Sequence, residues 1–269
     1  MKLRLYHHHD GARVAYRETG TGPPLILLHS PGLSHREYEP IVDELSHRFR
    51  LVLPDLPLHG DSEDRPLHPY TPDWLAEVVA GFCRAVAGPR PVVGGHDASA
   101  QLLLRAIASG QLSPGRLVLL SSALHRCRAQ DRLERGLRAL AVPGVDRVAG
   151  RLARLAGERR GSDLVRHALA PMHAGRAQAW SRALRRWPSG DQVDLLDAYR
   201  LIAAPTLLLW ADRDRRHPVA VAEEALELID DAQLRILEGT GFLMAYDDPV
   251  GLARELAAFC GPGAVASQA

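Results

Sequence analysis

Short apolar runs alternate along this chain with longer stretches whose apolar residues recur at helical spacing. The runs are KLRLYH (2–7), ARVAYRE (12–18), PLILLH (24–29), RLVLPD (50–55), PVVGG (91–95), RLVLLSS (116–122), PTLLLWA (205–211) and AQLRILE (232–238). The first two flank Asp10-Gly11, a turn dipeptide, and read as an antiparallel hairpin. The later ones read as buried strands, each followed by a turn and usually a helix. The helical stretch at 71–88 shows the pattern: Thr71 can cap, Pro72 suits the first turn, and Gly88 stops the helix. Leu75, Val78, Val79, Phe82 and Val86 keep its apolar face. This alternation predicts an α/β fold with a mostly parallel eight-stranded sheet and helices on both faces.

The strand rhythm stops at Leu124 and does not return until about residue 190. The intervening segment is helical in character and holds fifteen arginines against five acidic residues. An insertion between strands of such a sheet reads as a lid over the C-terminal strand ends. The expected organisation is a core over 1–123, a helical lid over 124–190, the rest of the core over 191–262 and a flexible tail over 263–269. Trp180, Met172 and Trp187 could roof a pocket, and the guanidinium groups could attract an anionic or carrier-linked small molecule.

Composition narrows the chemistry. The net charge of +1 gives no general pull toward nucleic acid or membrane. Lys2 is the only lysine, which removes Schiff-base chemistry and a phosphate-binding P-loop. Cys83, Cys127 and Cys260 are odd in number and far apart, fitting a reduced cytoplasmic protein without a disulfide framework. His7, His8 and His9 could suggest a metal, but strand alternation would let at most two face one way, so an exposed first strand is expected and no metal site.

The chemistry concentrates at GGHDASA (94–100), where a buried strand runs straight into a helix. Small residues on both sides of Asp97 permit a sharp turn that exposes the central side chain, with the N–H of Ala98 available to an oxyanion. With this motif the chain resembles the α/β-hydrolase superfamily over nearly its whole length. ILLHSPG (26–32), with His29, Ser30 and Pro31, is similar to the family's first oxyanion loop; LLLWADRDRRHP (207–218) places the triad acid at Asp214; LEGTGFLMAYDDP (237–249) is similar to the histidine loop. The Gly-His-Asp elbow is most like the haloalkane dehalogenase and epoxide hydrolase branch, in which the carboxylate attacks carbon and a histidine-activated water hydrolyses the resulting ester.

The chain departs from that branch in four places. Phe242 stands where the resemblance puts the base; Ala98 replaces a tryptophan; Pro31, which has no N–H, occupies an oxyanion position; and the lid has no evident tyrosine pair, with Tyr199 only at its exit. These losses imply a cofactor-independent enzyme that uses Asp97 for acid–base chemistry, with a raised pKa, on a small hydrophobic or polyketide-like substrate. Elimination, isomerisation, decarboxylation and cyclisation fall within its reach. Alternatively Asp97 only satisfies helix-start N–H groups and the protein is a non-catalytic binder. A third expectation keeps a hydrolase (epoxide, ester or C–C bond) with His217 as relocated base, although DRDRRHP reads first as an exposed loop. Ser30 is expected to replace the donor that Pro31 lacks, while His29, His59 and His96 are expected to fix loops.

Overall fold

The computed structural model describes residues 1–65, 67–126 and 192–261, together with Arg176, Ala179, Trp180, Arg182, Ala183 and Arg186. Its strands are β1 (Lys2–His7), β2 (Arg13–Thr19), β3 (Pro24–Leu28), β4 (Arg50–Pro54), β5 (Val92–His96), β6 (Arg116–Leu120), β7 (Thr206–Ala211) and β8 (Ala232–Leu237). They form one sheet in the order β1-β2-β4-β3-β5-β6-β7-β8. Strands β1, β2 and β4 pair antiparallel and all other neighbours are parallel. All eight apolar runs are strands, displaced by one or two residues at most.

Alternate residues of the central strands feed two cores. Ile26, Leu28, Val93, Leu117, Leu119 and Leu208 pack against α2 (Pro72–Ala87) and α3 (Ala98–Ala108). Leu25, Leu27, Val118, Leu120, Leu207 and Leu209 pack on the other side, against α1 (Val42–Ser46) and later helices. Helices α4 (Leu196–Leu201) and α5 (Val219–Leu228) join the first core, whereas those later helices of the second are α6 (Met244–Asp247) and α7 (Pro249–Cys260). Helix α2 starts as its sequence implies: the Thr71 side chain accepts from the Trp74 N–H at 3.3 Å, a cap worth about 1 kcal/mol.

Strand order reverses between β3 and β5, and the loops leaving their C-terminal ends diverge to open a crevice, the usual place for a site in such sheets. Leu28 pairs with Gly95 there, so the His29 loop and the Asp97 elbow lie side by side.

Two expectations change. Residues 8–12 all connect β1 to β2, because His7 pairs with Arg13; Asp10-Gly11 is the middle of a five-residue connection and not a two-residue turn. His8 and His9 therefore lie beyond the strand, where alternation no longer separates them, and His8 is buried. Most of the lid expected over 124–190, including Met172, His173 and Trp187, lies outside the described residues, as do Cys127 and the tail. Arg176, which is described, is buried and donates to Gly60 O and Ser62 O at 3.1 and 3.2 Å, tying that segment to the loop after β4. Among the described residues no helix is long and apolar enough to cross a membrane.

Candidate active site

Asp97 takes φ 57° and ψ −124°, a backbone conformation that costs a non-glycine residue about 1–3 kcal/mol. The surrounding contacts hold it there. Its N–H donates to Ser121 O at 3.2 Å, and its carbonyl accepts from Ser122 Oγ at 2.7 Å and from the Ala100 N–H at 3.1 Å. Gly95 is needed for the same turn: a Cβ there would lie 2.8 Å from the Ser99 carbonyl carbon and 2.9 Å from the Ala100 nitrogen. Ser99 donates to His29 O at 2.5 Å and so ties the elbow to the neighbouring loop. The Asp97 carboxyl makes no capping bond to α3, which removes helix capping as the reason for an acid at this position.

His217 faces that carboxyl. Asp214 Oδ1 accepts from the Arg216 N–H at 2.9 Å, closing a tight turn that swings His217 inward. His217 Nδ1–H then donates to Asp214 Oδ2 at 2.7 Å, and Nε2 lies 3.2 Å from Asp97 Oδ1. The second contact is close but not aligned as a hydrogen bond, a common state of such groups without substrate. All three side chains are buried, with His217 only 1% exposed. The expectation of an exposed loop is thus overturned, because the Asp214 turn folds the polar sequence inward. Asp214 has a partner after all, and Asp97 faces two basic groups instead of the purely apolar pocket on which a raised pKa was premised. Burial opposes protonation of His217, but the Asp97 charge and the Asp214 hydrogen bond prevail and raise its pKa. Burial pushes Asp214 up, yet the hydrogen bond and charge of His217 bring its pKa below the ordinary value.

Phe242 fills the position between elbow and acid loop where the resemblance expected the base. Its ring lies 4.5 Å from that of His96 and 5.9 Å from that of His217, tilted by 33° and 30°. The Arg216 guanidinium sits 4.2 Å above its centroid, and Nη2 reaches within 3.5 Å of Asp97 Oδ2. Phe242 therefore backs the imidazole and holds a cation at the carboxylate.

The first oxyanion loop is occupied with its own bonds. The Ser30 N–H and Oγ both donate to Glu37 Oε2, at 2.7 and 3.0 Å, so Ser30 does not replace the donor missing at Pro31. The Gly32 N–H donates to His59 Nε2 at 3.0 Å. His96 Nδ1 bonds the other Glu37 oxygen. His29 accepts from the Leu56 N–H and donates to Ser30 O, a loop-fixing arrangement, and burial lowers its pKa. The Ala98 N–H at the start of α3 is the remaining donor of the expected pair. His125 is engaged by the Tyr199 hydroxyl and by Glu224. Glu37 and Arg216 were not singled out in the sequence: Glu37 gains its meaning only across 59 residues from His96, whereas the D-x-x-H spacing of Asp214 and His217 was a local signal for the turn.

A cleft enclosing about 490 Å³ of solvent-open space runs from this corner. Pro31, Leu58, His59, Ala98, Leu102 and Trp180 are among its walls, with the Trp180 ring edge-on to His59 at 4.4 Å.

Comparisons with known proteins agree with this architecture. A pimeloyl-[acyl-carrier protein] methyl ester esterase of Xanthomonas campestris is 29% identical over 231 residues, covering 82% of this chain and 88% of that one. A 2-(acetamidomethylene)succinate hydrolase of Mesorhizobium japonicum is 25% identical over 239 residues, covering 83% and 82%. Among solved structures, an esterase from Thermogutta terrifontis superposes with a TM-score of 0.77 at 20% identity, over 97% of this chain and 98% of that one, a likeness of fold. The sequence profile of the alpha/beta hydrolase family matches residues 25–255, and with the sheet order and the elbow geometry this places the chain in the alpha/beta hydrolase family.

Proposed function

We propose that this protein is a hydrolase acting in two steps through a covalent ester on Asp97, with His217 as the base and Asp214 as its orienting acid. The observation that carries this is the placement of His217 between the two carboxylates, 3.2 Å from one and 2.7 Å from the other. An Asp97 oxygen attacks an electrophilic carbon, and the leaving group departs with the bonding pair. Water then adds to the ester carbonyl carbon while Nε2 of neutral His217 takes its proton. Collapse of the adduct breaks the bond to Asp97 and releases the hydroxylated product. The Ala98 N–H stabilises the oxyanion of this second step. One missing donor typically costs about 2.7–4 kcal/mol, so ester hydrolysis is the slow step. Both named relatives are described as hydrolysing an ester or a succinate derivative, which supports hydrolysis over elimination or isomerisation.

The substrate is a small molecule with an apolar body for the Trp180 cleft and an anionic end for Arg216. Single turnover with excess protein in ¹⁸O-water tests the mechanism, using α-halo acids, epoxy acids and diacid methyl esters beside neutral counterparts. Label is expected in the peptide carrying Asp97, and His217→Gln is expected to accumulate the ester with turnover reduced roughly 10²–10⁴-fold. Turnover that leaves Asp97 unlabelled and unmodified, with all label in product, would sink the covalent route. Equal rates on acids and neutral counterparts would sink the anionic preference.

A further inference from the structure

The connection between β1 and β2 carries a second cluster, far in sequence from the acid–base residues. Among the described residues, His8, His9 and Glu77 each offer a ligand atom within 4.8 Å of the others. Glu77 lies on α2, and His9 Nε2 stands 3.6 Å from its Oε1. The two imidazoles lie against each other with centroids 4.1 Å apart and planes tilted by 51°. The cluster is unequal in rigidity: the His8 side chain is 3% exposed, whereas those of His9 and Glu77 are 71% and 42% exposed.

His8 is held as a metal-binding histidine needs to be held. Its Nδ1–H donates to Asp10 Oδ1 at 2.9 Å, which leaves Nε2 as the nitrogen for a ligand. Asp10 is itself fixed by the Ala12 N–H at 2.8 Å, by Trp74 Nε1–H at 2.9 Å and by Arg65. The Cδ2 edge of His8, next to Nε2, faces Gly81, one helical turn beyond Glu77 on the same side of α2. A carboxylate, a histidine and an open ring nitrogen in this order are the outer-shell arrangement that fixes ring orientation and raises ligand basicity at metal sites.

We propose that His8 Nε2, His9 Nε2 and a Glu77 carboxylate oxygen bind a divalent transition-metal ion of the zinc class. Two imidazoles and one carboxylate suit that ion, whose remaining position water would complete. The exposed pair, His9 and Glu77, closes onto the fixed His8. The bound ion staples the β1–β2 connection to α2. The same histidines were expected to lie on an exposed strand, where adjacent side chains diverge; the chain leaves the strand after His7, so His8 and His9 converge.

The test uses the full chain without an affinity tag, titrated calorimetrically with zinc chloride and by visible absorption with cobalt chloride. One equivalent is expected to bind, and zinc is expected to raise the thermal midpoint. His9→Ala is expected to lose the stoichiometric binding. Glu77→Ala is expected to weaken it at least about tenfold, as loss of an outer-shell partner alone commonly does. His7→Ala, outside the cluster, is expected to bind as the parent does. Absence of stoichiometric binding by the parent chain overturns the site. So does unchanged binding by Glu77→Ala, or equal losses in His7→Ala and His9→Ala, which would mean a histidine run binding without a built site.

Discussion

In the free protein the imidazole of His217 is held between two carboxylates, and its raised pKa depends on both. Burial alone would favour the neutral ring; Asp97 supplies the largest opposing influence. An ester on Asp97 would abolish that charge, and the ring would lose its protonated form at lower pH. The ester-hydrolysis half-reaction is therefore expected to show its acid limb at lower pH than the titration of His217 in the free protein. Rapid-quench mass measurement of the adduct across pH gives the first midpoint, and NMR of the ring protons gives the second. Coincident midpoints would mean that Asp97 keeps its charge throughout, contrary to a covalent route. At this scale the sequence disclosed Asp97, Asp214 and the substitution at Phe242, because each occupies a motif position. It concealed the orientation of His217, since a polar loop such as DRDRRHP signals exposure unless the turn at Asp214 is recognised. Arg216 and Glu37 depend on long-range contacts that no local pattern encodes.

Elements follow from the sequence more directly. A parallel strand buried on both faces must be apolar throughout, so β3, β5, β6 and β7 stand out as uninterrupted runs. The β1–β2 connection was less legible, because a strand and its continuation into a loop look alike when polar histidines fill both. The strand-to-helix elbow was legible because the close approach of β5 to α3 leaves no room for side chains. That closeness gives a prediction. In Gly95→Ala the new Cβ meets backbone of Ser99 and Ala100 at 2.8–2.9 Å, which cannot rotate away as a flexible side chain would. Overpacking of this kind costs about 1–3 kcal/mol. Urea unfolding is expected to show a lower midpoint with unchanged slope, and the Asp97–His217 contact is expected to loosen. A variant as stable as the parent would show that β5 and α3 can separate without strain.

For the whole molecule, buried histidines of opposite behaviour set how stability depends on pH. His29 and His59 are buried, donate through Nδ1 to carbonyl oxygens and accept through Nε2 from backbone N–H groups, so the folded state needs them neutral. Burial is the main cause of the lowered pKa of each, and the shift is large for His59. Below the unfolded value of about 6.5 the unfolded chain gains protons that the folded one refuses, so stability falls as pH drops. Each such site contributes a slope of up to about 1.4 kcal/mol per pH unit. His217 acts in the other sense: its raised pKa gives stability that is full below about 6.5 and is lost as pH rises through the folded value. Asp214 and Asp55, both lowered, add stability that is full above about 3.8 and lost as pH falls through their folded values. The two neutral histidines act below about 6.5 and His217 above it, and the carboxylates join the former at lower pH. Stability is therefore expected to be greatest near neutral pH and to fall more steeply on the acid side. Urea unfolding at pH 5, 6, 7, 8 and 9 measures this directly, and a protein as stable at pH 5 as at pH 7 would mean that His29 and His59 are not held neutral in the fold.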